Sequence, residues 1–347
     1  MAAPTADQYA GDTRSGADVG SLVAAARRAE ELGFDGLTAP EAGHDPFIPL
    51  VLAAEHTSRI ALGTNVAIAF PRSPMVTAQL AWDLQALSGG RFQLGLGTQV
   101  KGHVERRYAS TWTGPPGPRL REYVQCLQAM FETFQTGARP AFEGDHYRFT
   151  LMNPFFSPGP IEHPHVPIHL AAVNPYMARL AGELADGLRV HPIATFRYVD
   201  EVVRPAVAAG AAAAGRDPAA IELIGAPFLA VAADEAGVEA ARNDIKQQIA
   251  FYSSTRTYHA VLEFHGWQDV GGELHRMSKD GRWKEMPDLI TDEMLDEWAV
   301  VATAADLGAT MAARCTGRFD TVSLTLPSAL GSDDEFVSDA VATLHAA

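Results

Sequence analysis

The sequence predicts an α/β chain folded as a (β/α)8 TIM barrel, and three observations carry that prediction. Strand-like and helix-like segments alternate along nearly all of the 347 residues. Seven clear strands can be counted, each joined to the next by a helical stretch, as parallel neighbours require. No Gly-x-Gly-x-x-Gly opens the first βα turn, which argues against the runner-up, an open doubly wound sheet.

The front of the chain must supply the eighth strand, and 5–10 is the extended candidate there. It is a poor one, because Asp7 and Gln8 stand where a buried barrel strand should be apolar. Either this strand is weak or an insertion over 11–16 disturbs its register. Val19, Leu22, Val23, Ala26, Ala29 and Leu32 then repeat at helical spacing up to Gly33, a C-terminal cap. A short strand over 34–39 follows, then a helix at 49–56, a strand at 60–66, a helix at 74–87 and a strand at 92–96. The alternation continues with a helix at 120–134, a strand at 168–173, a helix at 175–184, a strand at 187–191 and a helix at 196–214. A strand at 221–232, a helix at 235–250, a strand at 321–326 and a helix at 335–344 complete it.

Two stretches fall outside the repeat. Residues 137–167 are rich in Pro and aromatics and read as a hairpin and flap. Residues 251–318 hold Trp267, Trp283 and Trp298 with two helical patterns, the second over 291–305. Both insertions are expected over the C-terminal mouth of a single barrel domain spanning 1–347, and together they supply most of the roughly 100 residues above a minimal barrel.

Composition narrows the function. Forty-two acidic against 27 basic residues give a net charge of −15, which argues against a phosphate-coating nucleic-acid binder. Hydrophobic residues at 47% and charged residues at 20% are globular proportions. The two cysteines, Cys126 and Cys315, exclude a disulfide framework and point to a reducing cytoplasm. The longest apolar runs, such as 206–214, are far short of a membrane span, and residues 1–9 lack the features of a signal peptide.

In a barrel, chemistry is placed just past the C-terminal ends of the strands. Those positions are Glu41 and His44 after the second strand, Thr64, Asn65 and Val66 after the third, and Gly97, Thr98, Gln99 and Lys101 after the fourth. Val173, Asn174 and Pro175 follow the fifth, and His191 the sixth. Asn174-Pro175 is an N-cap followed by the residue best suited to a first helical turn, so free amides there would face the mouth, as phosphate binding requires. A clean helix start explains the pair equally well. Gly95 and Gly97 would allow a flat ligand to approach the backbone, and either could also be a simple turn. His44 and Glu41, three apart, could exchange a proton, or be a packed histidine and a rim carboxylate. His163, His165 and His169 are interrupted by prolines and no His-Glu-x-x-His occurs, so no metal site is expected. Lys101, Arg72, Arg106 and Arg107 form a basic group that suits an anionic cofactor tail. Gly-x-Ser-x-Gly is missing, and nucleophilic catalysis has no support.

The run from Arg27 to Leu37, RRAEELGFDGL, resembles the start of the luciferase-like monooxygenase superfamily of flavin and deazaflavin enzymes. So do Leu62-Gly63-Thr64-Asn65-Val66, the run LSGGRFQLGLGT over 87–98 and ARLAGELADG over 178–187. Pro40-Glu41 to Phe47, Phe70-Pro71-Arg72-Ser73-Pro74, Thr98-Gln99-Val100-Lys101 and QIAFY over 248–252 are similar to an actinobacterial subgroup of oxidoreductases that use the deazaflavin coenzyme F420. The resemblance implies a luciferase-like barrel holding a flavin-like ring, with a non-proline cis peptide at Asn65-Val66 behind it. It implies hydride transfer between the F420 C5 and a small organic substrate, in a protein expected to be a homodimer. The family's acidic residue maps onto Glu41. A histidine that directly follows it in several deazaflavin enzymes is Ala42 here, which makes His44 the substitute acid/base. Thr64, Asn65 and Val66 would brace the ring, and Gly97, Thr98, Gln99 and Lys101 would line its side. Val173, Asn174, Pro175 and Tyr176 would take the phosphate. Phe155, Phe156 and the segment 251–258 would shape an apolar substrate pocket. The alternatives are an FMN monooxygenase using O2 and a catalytically silent flavin-binding barrel.

Overall fold

Eight parallel strands close into a ring in the computed structural model, which describes residues 5–9 and 19–346. They are β1 (Thr5–Tyr9), β2 (Gly36–Ala39), β3 (Ala61–Thr64), β4 (Phe92–Gly97), β5 (Ile168–Ala172), β6 (Gly187–Val190), β7 (Glu222–Gly225) and β8 (Thr321–Leu324). Each pairs with the next in order, and β8 returns to β1. The strand that reads as weak in sequence is thus the one that shuts the barrel, with Asp7 opposite Gly36 on one side and Ser323 on the other. The insertion expected at 11–16 lies outside the described residues.

The barrel is polar inside. The Arg189 guanidinium on β6 donates to Gln93 Oε1 on β4 at 3.2 Å, and His169 Nε2 on β5 lies 3.6 Å from Glu222 Oε2 on β7. Each contact passes over an intervening strand, so it crosses the interior. Thr321 Oγ1 donates to Glu222 Oε1 at 2.6 Å. The apolar set of the same strands, Phe92, Leu94, Leu96, Leu170 and Leu188, turns outward beneath the helices and is completely buried. Each such side chain contributes about 1.5–3 kcal/mol by leaving water. The hydrophobic core is therefore the annulus between strands and helices, and the expectation of an apolar barrel strand fails on the inner face.

Eight helices form the outer layer: α1 (Val19–Glu31), α2 (Phe47–His56), α3 (Pro74–Leu87), α4 (Pro116–Thr136), α5 (Pro175–Leu184), α6 (Arg204–Ala213), α7 (Leu307–Cys315) and α8 (Asp334–His345). Their ends follow local chemistry. Ser73 caps α3 by accepting from the Val76 amide, with Pro74 in the first turn, and Gly137 at φ +72° ends α4. The helix expected over 196–214 contains a five-residue π turn, Val199–Val203, ahead of α6.

Four sequence expectations need correction. The strand read over 221–232 is two strands: β7 ends at Gly225, and Phe228–Ala232 pairs in parallel with Ala299–Thr303 in a separate two-stranded sheet. The helix read over 291–305 accordingly stops at Trp298, because the apolar run after it is that second sheet's partner strand. The excursion between β7 and α7 thus begins near Ala226, earlier than the expected 251, and takes in the long helix Glu235–Ser253. Finally, 137–167 leaves the C-terminal end of α4 and returns to the start of β5, so both its ends lie at the N-terminal face. It runs along the barrel flank: Glu122 of α4 accepts from the His146 amide at 2.7 Å, Trp82 of α3 donates to Gly159 O at 3.0 Å, and Gln85 to His165 O at 2.6 Å. It contains the expected antiparallel hairpin, Phe142–Glu143 against Arg148–Phe149, yet Phe155 and Phe156 point to solvent at 86% and 67% exposure.

Candidate active site at the barrel mouth

The C-terminal strand ends bring the sequence-selected residues onto neighbouring loops around one opening. After β2, the Glu41 side chain is nearly buried and fully engaged. Its Oε2 accepts from the Ile68 amide at 2.7 Å and pairs with Arg72, and its Oε1 accepts from the Tyr108 hydroxyl at 3.0 Å. Arg72 also donates to Asp45 Oδ2 at 2.8 Å, while Arg107 donates to Ala42 O. Burial works against the Arg72 charge, but the carboxylates of Glu41 and Asp45 outweigh it and hold the guanidinium pKa above its usual value. Burial, reinforced by the Glu41 carboxylate, pushes Tyr108 up to about 12. This clamp ties the loop after β2 to the loops after β3 and β4.

The expected Glu41–His44 pair is therefore not formed: Glu41's oxygens are taken by other donors and His44 is exposed. Arg72 is likewise not free to meet an anion. Lys101 stands at the start of a short helix, Lys101–Arg106, well exposed and 3.8 Å from Glu105.

Beside this clamp, the peptide Asn65-Val66 past β3 is cis, at the bond the sequence comparison marked. Thr64 Oγ1 is buried and donates to Gly95 O at 2.6 Å, so that side chain fastens β3 to β4. A Cβ on Gly97 would run into the Val66 side chain, and one on Gly95 into the Thr64 carbonyl and Arg189. Gln99, half-buried, takes a left-handed φ of +58°, uncommon for a side-chain-bearing residue. After β5, the Asn174 side chain caps α5 by accepting from the Met177 amide at 3.0 Å, and Pro175 opens the helix. Val173 is buried beneath this turn, and Tyr176 is half exposed at its edge.

Past β6, His191 carries geometry that the sequence reading named only by position. Its Nδ1 accepts from the Ile193 amide at 3.1 Å, and its Nε2 lies 3.4 Å from the Tyr258 hydroxyl. The ring centroids of Tyr252 and Tyr258 are 4.9 and 4.8 Å from that of His191. The signal available in sequence was the tyrosine pair flanking the 251–258 segment. Tyr108, the other missed contributor, stands directly after Arg106-Arg107. Among the described residues no three His, Cys, Asp or Glu side chains converge as metal ligands, and no helix is long and apolar enough to cross a membrane. His165 bonds Asp186 at 3.2 Å while His169 points inward to Glu222.

Two histidines make stability depend on pH. Burial, with the Arg189 charge, pushes His169 down to about 3, and burial pushes His191 down to about 4. In the unfolded chain both titrate near 6.5. Between those values the unfolded state binds more protons, so the stabilisation is complete above about pH 6.5 and is lost as pH falls toward 4. Urea midpoints are expected to drop from pH 7 to pH 5, as the unfolding free energy falls by up to about 1.4 kcal/mol per pH unit for each histidine. The slope should be shallower in His191→Gln. A midpoint that is flat over this range contradicts the assignment.

A family model described as luciferase-like monooxygenase matches residues 2–321. The chain belongs to that family. Within the luciferase-like monooxygenases, it is 45% identical over 312 residues to an uncharacterised protein of Mycobacterium tuberculosis, covering 90% of this chain and 91% of the relative. It is 30% identical over 286 residues to the 5,10-methylenetetrahydromethanopterin reductase of Archaeoglobus fulgidus, covering 80% and 81%. The fold matches the coenzyme F420 dependent tetrahydromethanopterin reductase of Methanopyrus kandleri with a TM-score of 0.74 at 20% identity, over 98% of this chain and 97% of that one. The luciferase-like barrel expected from sequence is thus the observed one.

Proposed function

We propose that this oxidoreductase transfers a hydride between C5 of the deazaflavin coenzyme F420 and a small organic substrate. The observation that carries the reading is the amide end of α5 at the mouth, opened by Asn174-Pro175, beside the end of the adjoining strand β4, where the Val66 side chain is seated against Gly97. The first turn of a ten-residue helix suits a phosphate, and glycine at 97 lets Val66 pack close against β4 at the mouth. The residues present therefore fit this coenzyme. Asn65, Val66, Gly97, Thr98 and Gln99 would hold the ring, Val173 to Tyr176 the phosphate, and Lys101 with Arg106 the acidic tail. When bound, the coenzyme supplies a two-electron carrier.

The chain's own part is to bind, orient and keep water out. The Glu41–Arg72–Tyr108 clamp fixes the loops after β2, β3 and β4 against one another, and the exposed His44 stays a rim group. Ile48, Val51, Val76 and Leu87, exposed on the packed helices α2 and α3, offer the apolar face on which a homodimer would close; a monomeric mass by light scattering overturns that part.

Quenching of F420 fluorescence on titration with the protein tests the cofactor, with FMN titrated in parallel. F420 binding is expected, and tight FMN binding without F420 binding overturns the reading in favour of the monooxygenase alternative. Asn174→Ala removes a cap worth about 1 kcal/mol and should weaken F420 binding roughly fivefold, by the same free energy. Unchanged affinity removes α5 from the coenzyme site.

A further inference from the structure

Resting on the proposed function, we infer that the face of the mouth above β6 and β7 is a substrate subsite for a neutral aromatic ketone or alcohol, whose oxygen is hydrogen-bonded by Tyr258. Three features lead there. First, the wall is continuous and aromatic. His191 lies between Tyr252 and Tyr258, Phe228 at the start of the second sheet is 6.2 Å from Tyr252, and Phe251 is 5.4 Å from Tyr252 and 6.1 Å from Trp283. Phe228 is buried, whereas Phe251 and Trp283 are 52% and 43% exposed, so the wall runs from the barrel interior outward to solvent. Stacked or edge-on contact with a planar ligand is what such a surface offers.

Second, the polar atoms on this wall are hydroxyl and imidazole groups that are neutral at pH 7. Tyr258 is held far above its usual pKa by burial and by Tyr252, so it presents an O–H and not a phenolate. His191 accepts the Ile193 amide at Nδ1, which leaves its proton on Nε2, facing the Tyr258 oxygen 3.4 Å away. A neutral imidazole donating to a phenol oxygen turns the phenol's own hydrogen outward, toward a ligand acceptor. Carbonyl and hydroxyl oxygens meet that donor; a phosphate or carboxylate would be desolvated here without a counter-charge, which is unfavourable.

Third, the neighbouring cation is directed elsewhere. Arg256, two residues before Tyr258, lines a cavity of about 530 Å3 with His259, Asp269, Glu273, His275 and Arg276, whose lining shares no residue with the aromatic wall.

The test is binding to the protein without coenzyme, followed by calorimetry and by tryptophan fluorescence from Trp283. Acetophenone and 1-phenylethanol are expected to bind and to change the Trp283 signal, and glucose 6-phosphate is not. Tyr258→Phe, which keeps the ring, should weaken acetophenone about tenfold, and Phe251→Ala should weaken it several-fold, with F420 quenching unchanged in both. Tighter binding of glucose 6-phosphate than of acetophenone, or an unaltered acetophenone affinity in Tyr258→Phe, overturns the inference. Absence of F420 quenching in the wild-type protein overturns the proposed function instead and leaves these coenzyme-free measurements readable.

Discussion

Arg72→Ala is expected to destabilise the protein by about 3 kcal/mol, because it leaves the Glu41 carboxylate nearly buried without its cation. The Glu41 side chain is 6% and the Arg72 side chain 17% exposed, so water cannot fully replace the guanidinium. The Ile68 amide and Tyr108 hydroxyl remain as donors, which keeps the loss at the lower end of the range for broken buried pairs. In a chain of this length the melting temperature should fall by roughly 4 °C. The diagnostic variant is Arg72→Ala combined with Glu41→Gln: removing the charge as well should recover part of the loss, since an amide costs less to bury than an unpaired carboxylate. A single variant within about 0.5 kcal/mol of the parent, the usual span for surface changes, would show the clamp to be a surface pair. F420 affinity should fall in the single variant too, because the same residues hold three mouth loops together.

That clamp also shows where sequence reading stops. The outward face of each strand was legible, since Phe92, Leu94 and Leu96 alternate against the helices and the helix ends carry Ser73-Pro74 and Asn174-Pro175 signals. The inward face was not. Arg189, Gln93, His169 and Glu222 come from four strands separated by up to about 130 positions in sequence, and only barrel closure makes them neighbours. The same long-range pairing hid the second sheet: Phe228–Ala232 is as apolar as β7, and its partner at Ala299–Thr303 lies beyond a helical excursion. At the mouth, residue identity was readable while partner choice was not. Glu41 and His44 are close in sequence, but Arg72 and Tyr108 reach the carboxylate from other loops. The 137–167 segment was misplaced for a topological reason: an insertion after a helix emerges at the opposite end of the barrel from one after a strand.

Gly95→Val should be the most damaging single substitution in the barrel wall. β4 pairs with β3 on one side and β5 on the other, and Gly95 stands in register with His169. The space a Cβ would need is occupied by the Thr64 carbonyl oxygen and by the Arg189 side chain. The arginine could swing away only by breaking its hydrogen bond to Gln93 inside the barrel. The carbonyl is backbone of the neighbouring strand and cannot move unless β3 shifts, which also pulls on Asn65 and Val66 at the mouth. Overpacking a core costs typically about 1–3 kcal/mol when side chains can adjust; here a backbone atom must give way, and a loss of about 4 kcal/mol or failure to accumulate as folded protein is expected. Gly97→Ala provides the contrast, because the atom it meets is the Val66 side chain and not backbone. It should fold with a loss of about 1–2 kcal/mol and lose most F420 binding. A Gly97→Ala protein that binds F420 like the parent would show that the seating of Val66 against β4 does not shape the coenzyme site.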